Sequence, residues 1–414
     1  MYKVFSIWKA YEQRHPERIQ SFQSLKFFFI EKLAIITTHP IQYNAPWFRM
    51  LTERHKIKLK VFYTWSQSEN GLKFDPGFGK QIEWDIPLLE GYEYEFIKNT
   101  SKNPGTRTHK GIVNPGLLQS IEAYHPDAVL VNGWNFVSHL KCLKYFHKRI
   151  PVFFRGDSTL LNEQKGLRKL ARKMVLTRIY RNVDKALYVG TQNKKYFLQN
   201  GLKEEQLVFV PHAIDNERFM RSADENEKVA QEWRRVLGIS QNKLIFLYAG
   251  KFEDVKNPWL ILEAAKELES SEVQFLMAGN GPLQSLLKEK AGKNIYFIDF
   301  QNQKMMPVLY RLGDVFLLPS KSETWGLSVN ESMASSRAVL VTDHCGCATD
   351  LVEEGKTGYV FRSNDINELT QKIGLMLQHK DELKDMGKNA LDKIQDWSFD
   401  HIVEAVENLV INKC

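Results

Sequence analysis

Residues 314–335 read DVFLLPSKSETWGLSVNESMAS. The run VFLLPS has the composition of a buried strand ending at Pro319, and SVNESMASS opens a helix, which leaves KSETWGL as the turn between them. Glu323 falls in that turn and Glu331 in the first helical turns. A strand-to-helix junction presents backbone N–H groups that can hold phosphate oxygens, while a carboxylate on either side accepts hydrogen bonds from hydroxyls. The pattern suits a ligand that combines sugars with a diphosphate. Spacing alone leaves a second reading open, with Glu331 a helix-start carboxylate favoured by the macrodipole and Glu323 a solvated loop residue.

Two further turns of the same kind lie upstream. LYAGKFEDVKNPWLILEAA places Gly250, Lys251 and Lys256 between a strand and a helix, where glycine permits close backbone approach and lysines neutralise a diphosphate. LMAGNGPLQSLL repeats the strand, glycine turn and helix at Gly279 to Pro282. Continuous apolar runs (LAIITT, KLKVFYT, AVLVNG, PVFFRG, KALYVG, then LIFLYAG, VQFLMAG, IYFIDF, VFLLPS, AVLVTD) alternate with helical spacing, which predicts α/β domains with parallel sheets covered on both faces. The pattern occurs twice, so two Rossmann-like doubly wound domains should face a central cleft, with ligands beyond the carboxyl ends of the strands. The expected division is an N-terminal extension over 1–32, a first domain over 33–215, an interdomain linker containing one helix over 216–242, a second domain over 243–397 and a final helix over 398–414.

Composition agrees with a globular chain of this size. The 414 residues are 43% hydrophobic and 26% charged, enough for two domains of roughly 200 residues. A formal charge of +8 favours anionic partners without choosing among nucleotides, phospholipid surfaces, phosphorylated acceptors and nucleic acid. Cys142, Cys345, Cys347 and Cys414 form no zinc-type set, so reduced thiols and a cytoplasmic location are expected. No stretch has the length and apolarity of a signal peptide core or a membrane span.

AGKFEDVKN, MAGNGPL, DVFLLPSKSETWGLSVNESMAS and EEGKTGYVF, in that order, resemble the donor-binding half of family-4 retaining glycosyltransferases with the GT-B fold. NVDKALYVGTQNKKYFLQNGLKEEQLVFVPHAIDNERF resembles the end of that family's first domain. The resemblance implies that Glu331 holds the nucleotide ribose and Glu323 contacts the transferred sugar. It implies that backbone amides near Trp325, Gly326 and Leu327 approach the diphosphate or sugar, with Gly250, Lys251 and Lys256 completing the donor site and the lysines stabilising the leaving diphosphate. No cofactor and no metal are then expected, the nucleotide diphosphate sugar being the donor substrate. By the same resemblance the final helix packs back on the first domain. The chain departs from the family at ASSRAV and at DHCGCATDL, where Cys345 and Cys347 read as packing residues.

The first half is less regular. His39, at the strand end in TTHPIQYNAPWFRML, either faces the cleft or caps its own loop. PVFFRGDSTL ends a strand at Arg155 and Asp157, where related enzymes often carry a histidine; Asp157 could orient an acceptor hydroxyl and Arg155 bind phosphate, or the two could form a structural pair. The RGD tripeptide follows an apolar strand and does not read as an adhesion signal. Residues 163–182 set Lys165, Arg168, Lys169, Arg172 and Lys173 opposite Leu167, Leu170, Ala171, Met174 and Val175. That surface either rests on an anionic membrane carrying a lipid-linked acceptor or packs its apolar side on the domain. Nucleic acid is not an expected partner, because no aromatics interleave the basic run. The resulting expectation is a retaining, metal-independent transferase moving a sugar to a carbohydrate or lipid-linked hydroxyl in surface polysaccharide or glycolipid synthesis, cytoplasmic and peripheral at the inner membrane face. A nucleotide-sugar-binding protein without turnover and a GT-B epimerase are the alternatives.

Overall fold

A computed structural model describes residues 30–68, 73–75, 80–161, 166–240, 242–269 and 272–412. Of the extension expected over 1–32, only residues 30–32 are therefore described. The strands are β1 Lys32–Thr37, β2 Lys58–Tyr63, β3 Lys73–Asp75, β4 Lys80–Ile82, β5 Glu93–Phe96, β6 Ala128–Asn132, β7 Val152–Arg155, β8 Lys185–Tyr188 and β9 Leu207–Phe209, followed by β10 Leu244–Ala249, β11 Val273–Ala278, β12 Ile295–Ile298, β13 Val315–Leu318, β14 Ala338–Thr342 and β15 Gly358–Phe361. They form one sheet of order β5-β2-β1-β6-β7-β8-β9 and another of order β12-β11-β10-β13-β14-β15, with the short pair β3-β4 apart. Every pairing in the two large sheets is parallel. Strand order reverses between β1 and β6 and between β10 and β13, so each sheet has a switch point at which loops diverge and leave a crevice.

The continuous apolar runs follow from burial on both faces. On β1, Leu33 and Ile35 face Trp47, Phe48 and the C-terminal helix, while Ala34 and Ile36 face Cys142, Leu143 and Phe197. On β10, Ile245 and Leu247 face Tyr310 and Met333, and Phe246 and Tyr248 face Leu260 and Phe275.

The linker expected over 216–242 holds two helices where one was expected. These are Asn216–Met220 and Ala223–Val236, and Phe219, Ala230 and Ile239 join the core of the second sheet beside Leu309 and Leu312. Arg234 fixes this arrangement by donating to Leu312 O at 2.8 Å and pairing with Asp314 at 3.0 Å. The chain returns through helix Phe399–Asn412, whose Phe399, Ile402, Val403 and Val406 enter the first domain's core with Trp47 and Phe48. Its buried Glu407 is paired to Arg54 and Lys56, each at 3.1 Å. Both interdomain crossings meet at Asn216, whose Nδ2 donates to Ile394 O (3.1 Å) and Trp397 O (3.2 Å).

Candidate active site in the interdomain cleft

A cavity of about 560 Å³ lies where the carboxyl ends of the two sheets meet. His39 after β1, Asp157 after β7, Gly250 after β10, Gly279 after β11, Phe300 after β12 and Glu323 after β13 all line it. The topology alone brings these loops together, since each follows a parallel strand pointing toward the crevice.

The second domain supplies the charged wall. The turn after β13 ends at Gly326, whose φ of 101° lies in the left-handed region that favours glycine, and helix Leu327–Ala334 starts immediately beyond it. Lys256, Lys251 and Glu323 line the same cavity, and Lys256 Nζ pairs with Glu323 Oε2. Trp325 is 2% exposed and its indole Nε1 donates to Asn330 Oδ1 at 2.9 Å, so this residue offers the site its backbone and uses its ring for packing. The departure at DHCGCATDL braces the carboxylate turn: Gly346 N donates to Glu323 O (3.0 Å), Cys347 N to Trp325 O (3.0 Å) and Cys345 Sγ to Trp325 O (3.1 Å). Both thiols are buried, and burial raises that of Cys347 well above its ordinary value.

Glu331 is 2% exposed, and each of its oxygens is met by a phenol. Tyr310 donates to Oε2 at 2.7 Å, and Tyr43 of the first domain reaches across the cleft to Oε1 at 3.2 Å. Burial raises the Glu331 pKa, opposed by the Tyr310 hydrogen bond, the charge of Arg218 and the Tyr43 hydrogen bond. Burial and the same carboxylate raise both tyrosines well above theirs.

On the opposite wall Asp157 Oδ2 accepts from Thr324 Oγ1 at 3.0 Å, a second bond across the cleft. His39 lines the cavity while its Nδ1 lies 2.9 Å from Thr38 Oγ1, so the cleft-facing and loop-bonding readings hold together. Arg155 departs from its expected place. It is 8% exposed, and its Nη1 and Nη2 donate to Val210 O and Pro211 O, both at 2.8 Å. Buried carbonyls need such donors, so the guanidinium secures the loop after β9. Burial lowers its pKa to about 10.

That loop carries His212, which sequence reasoning passed over. His212 lines the cavity, and its ring lies 6.1 Å from that of Trp325. Burial, and then the Arg155 charge, lower its pKa to about 4, partly opposed by Asp157. Tyr43 and Tyr310 were also missed. The available signals were a histidine directly after a strand in LVFVPHAID and a tyrosine inside the first strand-to-helix loop, HPIQYN.

The family model for Glycosyl transferases group 1 matches residues 229–393. The second domain is a group 1 glycosyltransferase domain. The D-inositol 3-phosphate glycosyltransferase of Gordonia bronchialis is 29% identical over 190 residues, 42% of this chain and 41% of that one. The alpha-monoglucosyldiacylglycerol synthase of Acholeplasma laidlawii is 26% identical over 214 residues, 50% of this chain and 53% of the relative. The chain thus spans about half the length of the curated relatives it matches. Likeness of fold extends further: Anabaena HepE in complex with UDP and glucose superposes with a TM-score of 0.67 at 15% identity, covering 92% of this chain and all of that one. WaaG, a glycosyltransferase of lipopolysaccharide biosynthesis, gives 0.64 at 13%, covering 91% and 99%. The overall fold is GT-B. The group 1 domain contains both glutamates, both lysines and the Gly326 turn, while Tyr43, Asp157 and His212 face it from the other half of the fold.

Proposed function

We propose that the protein is a retaining glycosyltransferase that moves a sugar from a nucleoside diphosphate to an acceptor hydroxyl, with the donor held by the group 1 domain. The observation that carries this is the meeting, in one cavity, of Lys251, Lys256, the Gly326–Leu327 turn and the buried Glu331. Glu331 would accept from ribose hydroxyls, and the lysines with the start of helix Leu327–Ala334 would receive the diphosphate. As the bond from the anomeric carbon to the diphosphate oxygen breaks, negative charge grows on that oxygen beside the two cations. Stabilising it there is what lowers the barrier, and it assigns no role to a metal ion. The acceptor oxygen bonds to the anomeric carbon on the same face, and its proton passes to the departing diphosphate. Asp157, His39 and His212 stand where an acceptor would enter, and Glu323 where the transferred sugar would lie.

The acceptor side is proposed to work at an anionic membrane surface. In helix Leu167–Tyr180 only Leu176, Ile179 and Tyr180 are buried; Leu167 (86% exposed), Leu170 (55%), Met174 (62%) and Val175 (54%) lie open beside Arg168, Lys169, Arg172 and Lys173. Residues 163–165 of this stretch, Lys165 among them, lie outside the described ones. No helix among the described residues is long and apolar enough to cross a membrane, so attachment would be by this face, apolar contact adding to attraction for anionic headgroups. Sedimentation with phosphatidylglycerol vesicles tests it: wild type should co-sediment at low salt and Leu170→Glu/Met174→Glu should not. Equal sedimentation would remove the membrane from the proposal.

Turnover is tested by release of nucleoside diphosphate from UDP- and GDP-sugars in the presence of lipid-linked and free saccharides, with and without EDTA. Wild type should release nucleotide only with an acceptor and form a product of unchanged anomeric configuration, and Glu323→Ala should not. Binding without release under any condition would favour a non-catalytic nucleotide-sugar protein, and isomerised free donor an epimerase.

A further inference from the structure

The segment Glu83–Leu89 of the first domain lies over the far end of the cleft. Its root is fixed to its own domain: Arg49 donates from Nε to Glu90 O at 3.2 Å and from Nη2 to Pro87 O at 3.1 Å, and Tyr92 OH donates to Leu88 O. Its tip is bonded to the other domain. Asn302 Nδ2 donates to Glu83 O at 2.7 Å, and both Asp85 carboxylate oxygens accept from Lys304 N, at 3.2 and 3.1 Å. Between these anchors Trp84, Leu88 and Leu89 line the cavity, and the Trp84 ring lies 6.5 Å from that of Phe300 at an interplanar angle of 61°.

This end of the cavity is connected to Glu331 by a traceable run of side chains. Tyr310 bonds Glu331, and Met306 precedes it by four residues on the same helix, Met306–Arg311, and so on the same face. That helix follows the loop that carries Phe300, Gln301 and Gln303, all of which line the cavity. With the diphosphate at the lysines and the ribose at Glu331, the base has this remaining end to occupy. Its lining of flat and apolar side chains suits a planar heterocycle.

We propose that the Glu83–Leu89 strap is the first domain's contribution to the nucleobase pocket and that Trp84 supplies a stacking face for the base. The proposal rests on the donor site described under Proposed function and adds that donor recognition is divided between the two domains. A base entering beside Phe300 meets the indole of Trp84, and the strap's bonds to Asn302 and Lys304 hold that indole at the pocket's rim. Aromatic stacking on a base changes affinity by about tenfold or more.

The test is calorimetric titration of the full chain with UDP, GDP and inorganic pyrophosphate. Wild type should bind one nucleoside diphosphate more tightly than the other and both more tightly than pyrophosphate. Trp84→Ala should weaken both nucleoside diphosphates about tenfold while leaving pyrophosphate unchanged. Trp84→Phe should recover most of the loss, and Asn302→Ala should move in the same direction as Trp84→Ala by releasing the strap. Unchanged nucleotide affinity in Trp84→Ala would overturn the strap proposal and leave the donor site standing. Failure of wild type to bind either nucleotide would overturn the donor site and the strap together.

Discussion

Replacing Glu331 by glutamine separates the proposed function of this residue from its contribution to stability. The carboxylate is buried with a phenol on each oxygen, and burial raises its pKa. A carboxyl whose folded pKa lies above its unfolded value binds protons more tightly in the native state. Its ionisation therefore costs stability as pH rises from the unfolded value through the raised one. Glu331→Gln keeps the shape and removes the charge, while exchanging charge-assisted for neutral hydrogen bonds that are weaker by about 1 kcal/mol each. The raised pKa is already net of those hydrogen bonds, so removing the charge should not destabilise the fold at pH 7, and the variant should lose the wild-type gain in stability on acidification. Nucleotide binding should respond differently, because hydrogen bonds from ribose hydroxyls to an ionised acceptor contribute about 1.5–3 kcal/mol, or roughly 10- to 100-fold in affinity. Calorimetric titration with the preferred nucleoside diphosphate, beside thermal unfolding at pH 5 and 7, reads both quantities. Wild-type affinity in the glutamine variant, or a melting temperature far below wild type at pH 7, would refute the reasoning.

Lys256→Met leaves Glu323 without its ion pair and, on the proposed mechanism, the departing diphosphate without one of its two cations, so steady-state turnover should fall about 100-fold; an unchanged kcat would contradict the proposed role. A Cβ on Gly190 would lie 2.2 Å from Cζ3 of Trp325 in the opposite domain. Gly190→Ala should therefore hold the cleft open, increasing the radius of gyration in X-ray scattering and slowing turnover, and an unchanged scattering curve would count against this contact. The His212 pKa of about 4 predicts an imidazole that stays neutral from pH 5.5 to 8 in a histidine NMR titration. Because that pKa is lowered, the unfolded chain binds the proton first, so His212 costs stability as pH falls from about 6.5 toward 4, and His212→Asn should flatten the acid side of the stability profile.

The second domain was legible because its signals are local. The runs LIFLYA, VQFLMA and AVLVT are buried along their whole length, and glycine marks the turns that follow β10 and β11. The cross-cleft chemistry was not legible. Tyr43 meets Glu331 and Thr324 meets Asp157 only after two domains have folded and docked, at sequence separations of 288 and 167 residues. Arg155 shows the converse failure, since a cation at a strand end looks like a ligand group until the loop after β9 presents carbonyls for it to satisfy. Residues 216–242 read as a linker with one helix, because most positions of ADENEKVAQEWRRV are polar and the short helix Asn216–Met220 has no amphipathic period of its own. The segment's packing runs through Ala230 and through Phe219 and Ile239, which flank the longer helix rather than lie within it. In helix Leu167–Tyr180 the periodicity was correctly visible in sequence, but only the structure distinguishes a face packed on its domain from one left open.

The central claim is that the interdomain cleft holds a nucleoside diphosphate sugar without a metal. Titration of the full chain with UDP- and GDP-sugars in EDTA tests it most directly. The account predicts saturable binding of one nucleotide class that Glu331→Gln weakens by at least tenfold. Folded wild-type protein that binds no sugar nucleotide in EDTA, or binds only when a divalent cation is restored, would contradict it.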